Sequence, residues 1–413
     1  MKILQISTGY DISFNGGITN YVRNISNELI EGGHDVTVLY SQDNGQKKDY
    51  KFEIINIETI LRPFHLSSVI TNNDCQKIDE IVRNLNPDII HVHMMIDLPI
   101  DVLAIFKKYS KVVVSLHDYS YVCNRIILLD RNGKNCLNSD ENRRCNTCIS
   151  LEESIDNRIF GGSLRRFAKG INVDKLANSS NHYEKFKVVQ KLFSEMDSII
   201  AVSNRVKDIY ISNGFVNNQF YVNHIGNYTA EKEFRDSFGT RKNINYGERI
   251  KFGFIGNLNY HKGSEVFLKL AKDSKHEFHI YGGIDAAVNE EIRTMKNVFY
   301  HGKYTHDQLK DILKNVDFGL VLPIWEDNAP QVIFEFLNSG IPIIGTRMGG
   351  LPDFINESNG VLFENMEEEI IKIKSFIESN EVFNFYNSVI NSIKGTKTAG
   401  EHMNDLLEIY EKI

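Results

Sequence analysis

DFGLVLPIWEDNAPQVIFEFLNSGIPIIGTRMGGLPDF, residues 317–354, is the stretch from which the fold can be read. Asp317 to Pro323 is a short apolar run with the length of a buried strand, and Ile341 to Arg347 is a second. Between them Asn328 is placed to cap a helix with Pro330 in its first turn, and Gly340 stops it. Strand, helix and strand within forty residues require a parallel sheet covered on both faces.

Working outward, the same alternation continues toward the N-terminus. KFGFIGNL (251–258), EFHIYGG (277–283) and NVFYHG (297–302) read as further strands. An earlier series opens with Lys2 to Ser7, followed by a helical pattern of Ile18, Tyr21, Val22, Ile25 and Leu29 that ends at Gly32-Gly33. HDVTVLY (34–40), DIIHVH (88–93), KVVVSLH (111–117) and DSIIAVS (197–203) complete that series. The predicted class is α/β, with two Rossmann-like domains, 1–225 and 249–398, each on a parallel sheet. The polar stretch 226–248 reads as a linker. Residues 399–413 carry Met403, Leu406, Leu407 and Tyr410 at helical spacing, a closing helix expected to pack back toward the first domain. Residues 121–190 break the rhythm and read as an insertion at a strand's carboxyl end, where α/β proteins build substrate-specific structure.

A chain of 413 residues is too long for one compact core, and 42% hydrophobic with 24% charged residues is ordinary for a globular protein. A net charge of −7 argues against a general nucleic-acid binder. No apolar run approaches the roughly 20 residues that span a bilayer, and MKILQIS passes straight into a strand without a signal-peptide pattern. A cytoplasmic location is the expectation, with free thiols or a metal site rather than disulfides for the five cysteines.

Candidate site residues follow strand ends. Gly16 and Gly17 lie between a strand and a helix start, where backbone N–H groups suit an anion. No G-x-G-x-x-G or P-loop accompanies them, which disfavours nicotinamide and P-loop chemistry. His117 sits just past an apolar strand, where a ligand crevice opens and an imidazole can bond a sugar hydroxyl. His91 and His93 read first as structural histidines. In GNLNYHKG (256–263), Lys262 precedes a predicted helix start and would neutralise a diphosphate. Asp327 and Glu335, eight apart, can accept hydrogen bonds from vicinal hydroxyls. The turn at Gly349 and Gly350 offers further backbone donors.

In this order the segments resemble glycosyltransferase family 4, the retaining enzymes of GT-B fold. The likeness rests on the GGI loop, PDIIHVH, LHDY, AVSNRVKD, the G-x-L-x-x-x-K-G block, the paired-acid block with GGLPD, and the closing helix. HDYxxxC with scattered cysteines also resembles a branch of bacterial surface-polysaccharide synthesis. The resemblance implies a nucleotide-sugar donor and a glycan or lipid-linked acceptor, in a cleft between the domains. Gly16 and Gly17 would then approach the diphosphate, His117 the donor sugar, Lys262 the diphosphate and Glu335 the ribose. Asp327 aligns with the acid that contacts the transferred sugar, with Glu326 one residue away as its substitute. Asn257 stands where an Arg on the phosphates is common, and Asp353 where a Glu is usual.

No Asp-x-Asp occurs, so catalysis without a metal ion or other cofactor is expected. Cys123, Cys136, Cys145 and Cys148 include one C-x-x-C and could bind a structural Zn²⁺. The run 158–169 mixes Ile159, Phe160, Leu164 and Phe167 with Arg158, Arg165, Arg166 and Lys169, a pattern suited to peripheral contact with an inner membrane face. A nucleotide-sugar epimerase and a non-catalytic nucleotide-sugar-binding module stay open as alternatives.

Overall fold

The computed structural model describes residues 1–7, 17–40, 50–57, 72–95, 98, 100–138, 140–148 and 182–413. Gly16 and the basic run 158–169 lie outside the described residues. The chain divides into two compact units, Met1–His224 with Met403–Ile413, and Ile225–His402.

The first unit carries a seven-stranded sheet: β1 (Lys2–Ser7), β2 (Asp35–Tyr40), β3 (Glu53–Asn56), β4 (Ile89–Val92), β5 (Lys111–Leu116), β6 (Ser198–Ala201) and β7 (Phe220–Val222). Their order is β3-β2-β1-β4-β5-β6-β7, and every pairing is parallel. The central strands are apolar on both faces because helices cover both, and Ile3, Ile6, Val38, Val92, Val113 and Val114 have no exposure. Burial of such side chains contributes roughly 1.5–3 kcal/mol each. Helix Gly17–Glu31 follows β1 and buries Tyr21, Val22, Ile25 and Leu29, the face its sequence spacing predicts.

The second unit has six parallel strands: β8 (Lys251–Ile255), β9 (Glu277–Tyr281), β10 (Val298–Gly302), β11 (Phe318–Val321), β12 (Ile343–Thr346) and β13 (Gly360–Phe363). They run β10-β9-β8-β11-β12-β13. Phe252 stacks on Phe278 and Phe318 at ring separations of 5.0 and 5.6 Å, tying the three strands around β8 to one core.

In both sheets the strand order reverses beside the first strand of the unit, between β1 and β4 and between β8 and β11. The connections leave those strands in opposite directions, which opens a crevice at their carboxyl ends. His93 and His117 lie just past β4 and β5. Lys262 and Asp327 lie in the loops that leave β8 and β11.

Two local expectations need correction. Residues 226–248 are not a loose linker but part of the second unit. Arg241 donates to the carbonyls of Ser339, Val316 and Leu313 at 2.8–2.9 Å, and Ile244 joins the core. The stretch is polar because most of its side chains face solvent, while Arg241 satisfies helix-end carbonyls. Helix Gln331–Asn338 starts one residue after Pro330, whose ψ of 123° is outside the helical range. Pro330, not Asn328, is therefore the N-cap. Gly340 ends the helix at φ +68°, as its sequence position suggests.

Candidate active site

In the second unit, the turn before helix Ser264–Ala271 is forced by backbone crowding. Gly263 adopts φ +84°, and a Cβ there would lie 1.8 Å from the Leu322 carbonyl oxygen. Only glycine lets the loop after β8 pass that close to the end of β11. The approach brings Lys262 Nζ to 2.5 Å from Asp327 Oδ2, with Nζ 5.4 Å from the centre of the Trp325 ring. Asp327 is buried, while the lysine side chain keeps 35% exposure. This pair can exchange: an incoming anion can take the ammonium, leaving the carboxylate to accept from a hydroxyl. The Trp325 indole N–H is buried with no hydrogen-bond partner among the described residues. His261 meets that ring edge-on, and burial, then the Lys262 charge, lowers its pKa.

Glu326 turns the other way, accepting from the Gly349 N–H at 3.2 Å. Gly350 N–H donates to the Asp327 carbonyl at 2.7 Å. Gly349 has φ +55°, and a Cβ there would lie 2.0 Å from that same carbonyl oxygen. The glycine turn therefore does not present its two N–H groups to a ligand, as the sequence suggested. It spends them on fixing the acid-bearing loop. Asn257 is exposed and its Oδ1 accepts from Gly283 N–H at 3.1 Å. Gly17 opens its helix, and a Cβ on it would meet nothing within 4 Å, so crowding does not demand glycine there.

Glu335 lies one helical turn into Gln331–Asn338, on the side of Tyr228 and Tyr304. Burial lifts its carboxyl to about 7. Burial first, and then the Glu335 charge, pushes Tyr304 up to about 12 and Tyr228 up as well. Tyr228 also meets His306, with ring centres 5.0 Å apart. The result is a half-buried carboxyl beside two tyrosines, suited to hydroxyl groups on a ring.

In the first unit, His117 is half-buried beyond β5 and belongs to a chain of hydrogen bonds. Its Nε2 is 3.1 Å from His93 Nδ1, and His93 Nε2 is 2.5 Å from Gln5 Oε1. His91 Nδ1 meets the Tyr410 hydroxyl at 2.6 Å and its Nε2 meets Ser115 Oγ at 2.7 Å. Tyr21 packs on both outer rings, 5.5 Å from His93 and 4.7 Å from His117. Sequence reading missed Gln5, Tyr21 and Tyr410. The available signal was a glutamine inside the apolar strand KILQIS, a polar group that must find a buried partner.

Cys123, Cys136, Cys145 and Cys148 line one cavity of about 310 Å³ together with Arg125, Arg131 and Arg144. Burial pushes the Cys123 thiol up to about 11 and the Cys145 thiol to about 12, so both are neutral thiols as they stand. Among the described residues, no three His, Cys, Asp or Glu side chains take up a metal-holding arrangement.

Residues 15–152 match the family model described as Glycosyltransferase Family 4, and residues 249–378 the model described as Glycosyl transferases group 1. An uncharacterised 42.6 kDa protein of the cps region of Klebsiella pneumoniae is 24% identical over 406 residues, covering 92% of this chain and 94% of its own. HepE of Anabaena, solved with UDP and glucose, is similar over 100% of both chains at TM-score 0.61 and 13% identity. The lipopolysaccharide outer core galactosyltransferase WaaB is similar over 100% of both chains at TM-score 0.60 and 14% identity. Likeness to the solved structures at these identities shows the fold.

Proposed function

The chain belongs to glycosyltransferase family 4, retaining enzymes of GT-B fold, and from that premise we propose that it transfers a hexose from a nucleoside-diphosphate sugar to a glycan or lipid-linked acceptor in surface-polysaccharide assembly. The observation that carries the donor assignment is the Lys262–Asp327 pair, held at the reversal of the second sheet by a turn that only glycine allows. Lys262 would leave Asp327 for the donor diphosphate and stabilise the charge that grows on it as the glycosidic bond breaks. Asp327, released, would accept from a hydroxyl of the transferred sugar. Glu326 already holds Gly349, which supports Asp327 over Glu326 in that role. Glu335 would accept from the ribose hydroxyls, and His117 would bond the donor sugar.

HepE and WaaG are similar folds; HepE was solved with UDP-glucose and WaaG acts in lipopolysaccharide biosynthesis. A UDP-hexose is accordingly the donor to try first. The cps-region relative supports a polysaccharide acceptor. No helix among the described residues is long and apolar enough to cross a membrane. Action at the cytoplasmic membrane face, with 158–169 in peripheral contact, is part of the same proposal.

The test is turnover of UDP-hexoses with and without polysaccharide-repeat acceptors, in the presence of EDTA. Release of UDP with formation of an α- or β-linked product matching the donor anomer is the expected result. Epimerised donor without acceptor, or binding without turnover, would overturn it. The purified protein, before any EDTA is added, tests the structural zinc proposed for the four cysteines, which their shared cavity supports and their present arrangement does not. About one zinc per chain, lost in Cys145→Ser, upholds that proposal; folded, zinc-free protein ends it.

A further inference from the structure

We propose that His93 is a positioning residue that holds a proton on Nε2 of His117, so that His117 meets its ligand with Nδ1 as the acceptor. The proposal rests on the reading of His117 as a donor-sugar contact, but its hydrogen-bond logic stands on the first unit alone.

The logic begins at Gln5. It is fully buried in the middle of β1, and its Oε1 can only accept. At 2.5 Å from that oxygen, His93 Nε2 must carry the hydrogen. A neutral imidazole has one donor and one acceptor, so His93 Nδ1 is then a lone pair. That lone pair faces His117 Nε2 at 3.1 Å, and His117 must donate to it. Neutral His117 is left with its lone pair on Nδ1. A sugar hydroxyl approaching that nitrogen would donate a hydrogen bond to it rather than receive one.

The amide orientation at Gln5 sets the direction of the whole chain. Its carbonyl oxygen faces His93, and its amide nitrogen is buried with no hydrogen-bond partner among the described residues. The rings are also held mechanically. His91 packs on His93 at 3.9 Å between ring centres, with the rings tilted by 41°, and is itself bonded to Tyr410 and Ser115. Tyr21 covers His93 and His117 from its helix. Among these contacts, His93 meets an amide, two imidazoles and a phenol.

The experiment is ¹⁵N–¹H NMR of histidine-labelled full-length protein, which reads which ring nitrogen bears the proton. It is paired with transfer rates for His93→Asn, His93→Leu and His117→Ala. Asparagine can place an acceptor where Nδ1 stood, and leucine cannot. The expected result is Nε2-protonated His117 in wild type and in His93→Asn, and a mixture of tautomers in His93→Leu. Transfer should fall about tenfold in His93→Leu and stay within about twofold of wild type in His93→Asn, the scale of one lost hydrogen bond. Nδ1-protonated His117 in the wild type would overturn the proposal, and that spectrum needs no variant to fold. Full transfer activity in His93→Leu alongside loss in His117→Ala would overturn it too. If His117→Ala is itself fully active, the donor-contact reading fails, and the wild-type spectrum still decides the tautomer.

Discussion

At the carboxyl ends of the first sheet, the polar groups are amide, imidazole, phenol and hydroxyl and answer one another: amide to imidazole, imidazole to imidazole, imidazole to phenol and hydroxyl. At the corresponding place in the second sheet they are charged, and their compensation is local. Lys262 has Asp327, whereas burial holds Glu335 near a pKa of about 7 among tyrosines. A network of side-chain hydrogen bonds can set the orientation of a side chain without consuming ligand binding energy. A charged pair at a partly open site can trade partners when an anion arrives. The first unit is therefore suited to aim a group at the substrate, and the second to neutralise charge that moves during transfer.

The comparison breaks most visibly at Lys262. Lys262→Ala should lower kcat/KM for the donor by about 10²–10³, the cost of removing a group that meets developing charge. Steady-state kinetics with a UDP-hexose and acceptor checks this, and a loss of less than about threefold would make the pair structural only.

Glu335→Gln comes next and separates stability from binding. The folded-state carboxyl titrates near 7 against an ordinary 4.5, so the native chain keeps the proton longer than the unfolded one. The protonated carboxyl's contribution is complete below pH 4.5 and is lost as pH rises through about 7. The glutamine variant should match wild type near pH 4 and be about 3 kcal/mol more stable above about pH 8, by urea denaturation at each pH. Its KM for the donor should rise about tenfold.

Tyr410→Phe gives the smallest expected effect. It removes a buried hydrogen bond to His91, and about 1 kcal/mol of stability should go with it. Transfer should change by less than about threefold, because His93 and Gln5 still fix His117.

Ten of the thirteen strands were legible as apolar runs. The other three, β3, β7 and β13, all lie at sheet edges. They are three or four residues long and half-buried for much of their length, as in EIIN and FYV. An edge strand has one neighbour and needs less apolar surface, so its run is too short to stand out. At the candidate site, the loop and helix positions of Lys262, Asp327 and Glu335 were legible because glycine and proline punctuation marks the strand ends around them. The inward use of the Gly349 and Gly350 N–H groups was not, since it depends on how closely two loops pass. The His93–Gln5 contact joins residues 88 apart in sequence. No local pattern carries such a pairing; it follows only from β1 and β4 being neighbours.

The most direct measurement of the donor assignment is calorimetric titration of UDP into the wild type and into Lys262→Ala, with EDTA present. Binding to the wild type that weakens at least tenfold in the variant, with both proteins equally folded, is the expected result. Equal affinity in the two proteins, or no UDP binding to folded wild type at millimolar concentration, would contradict it.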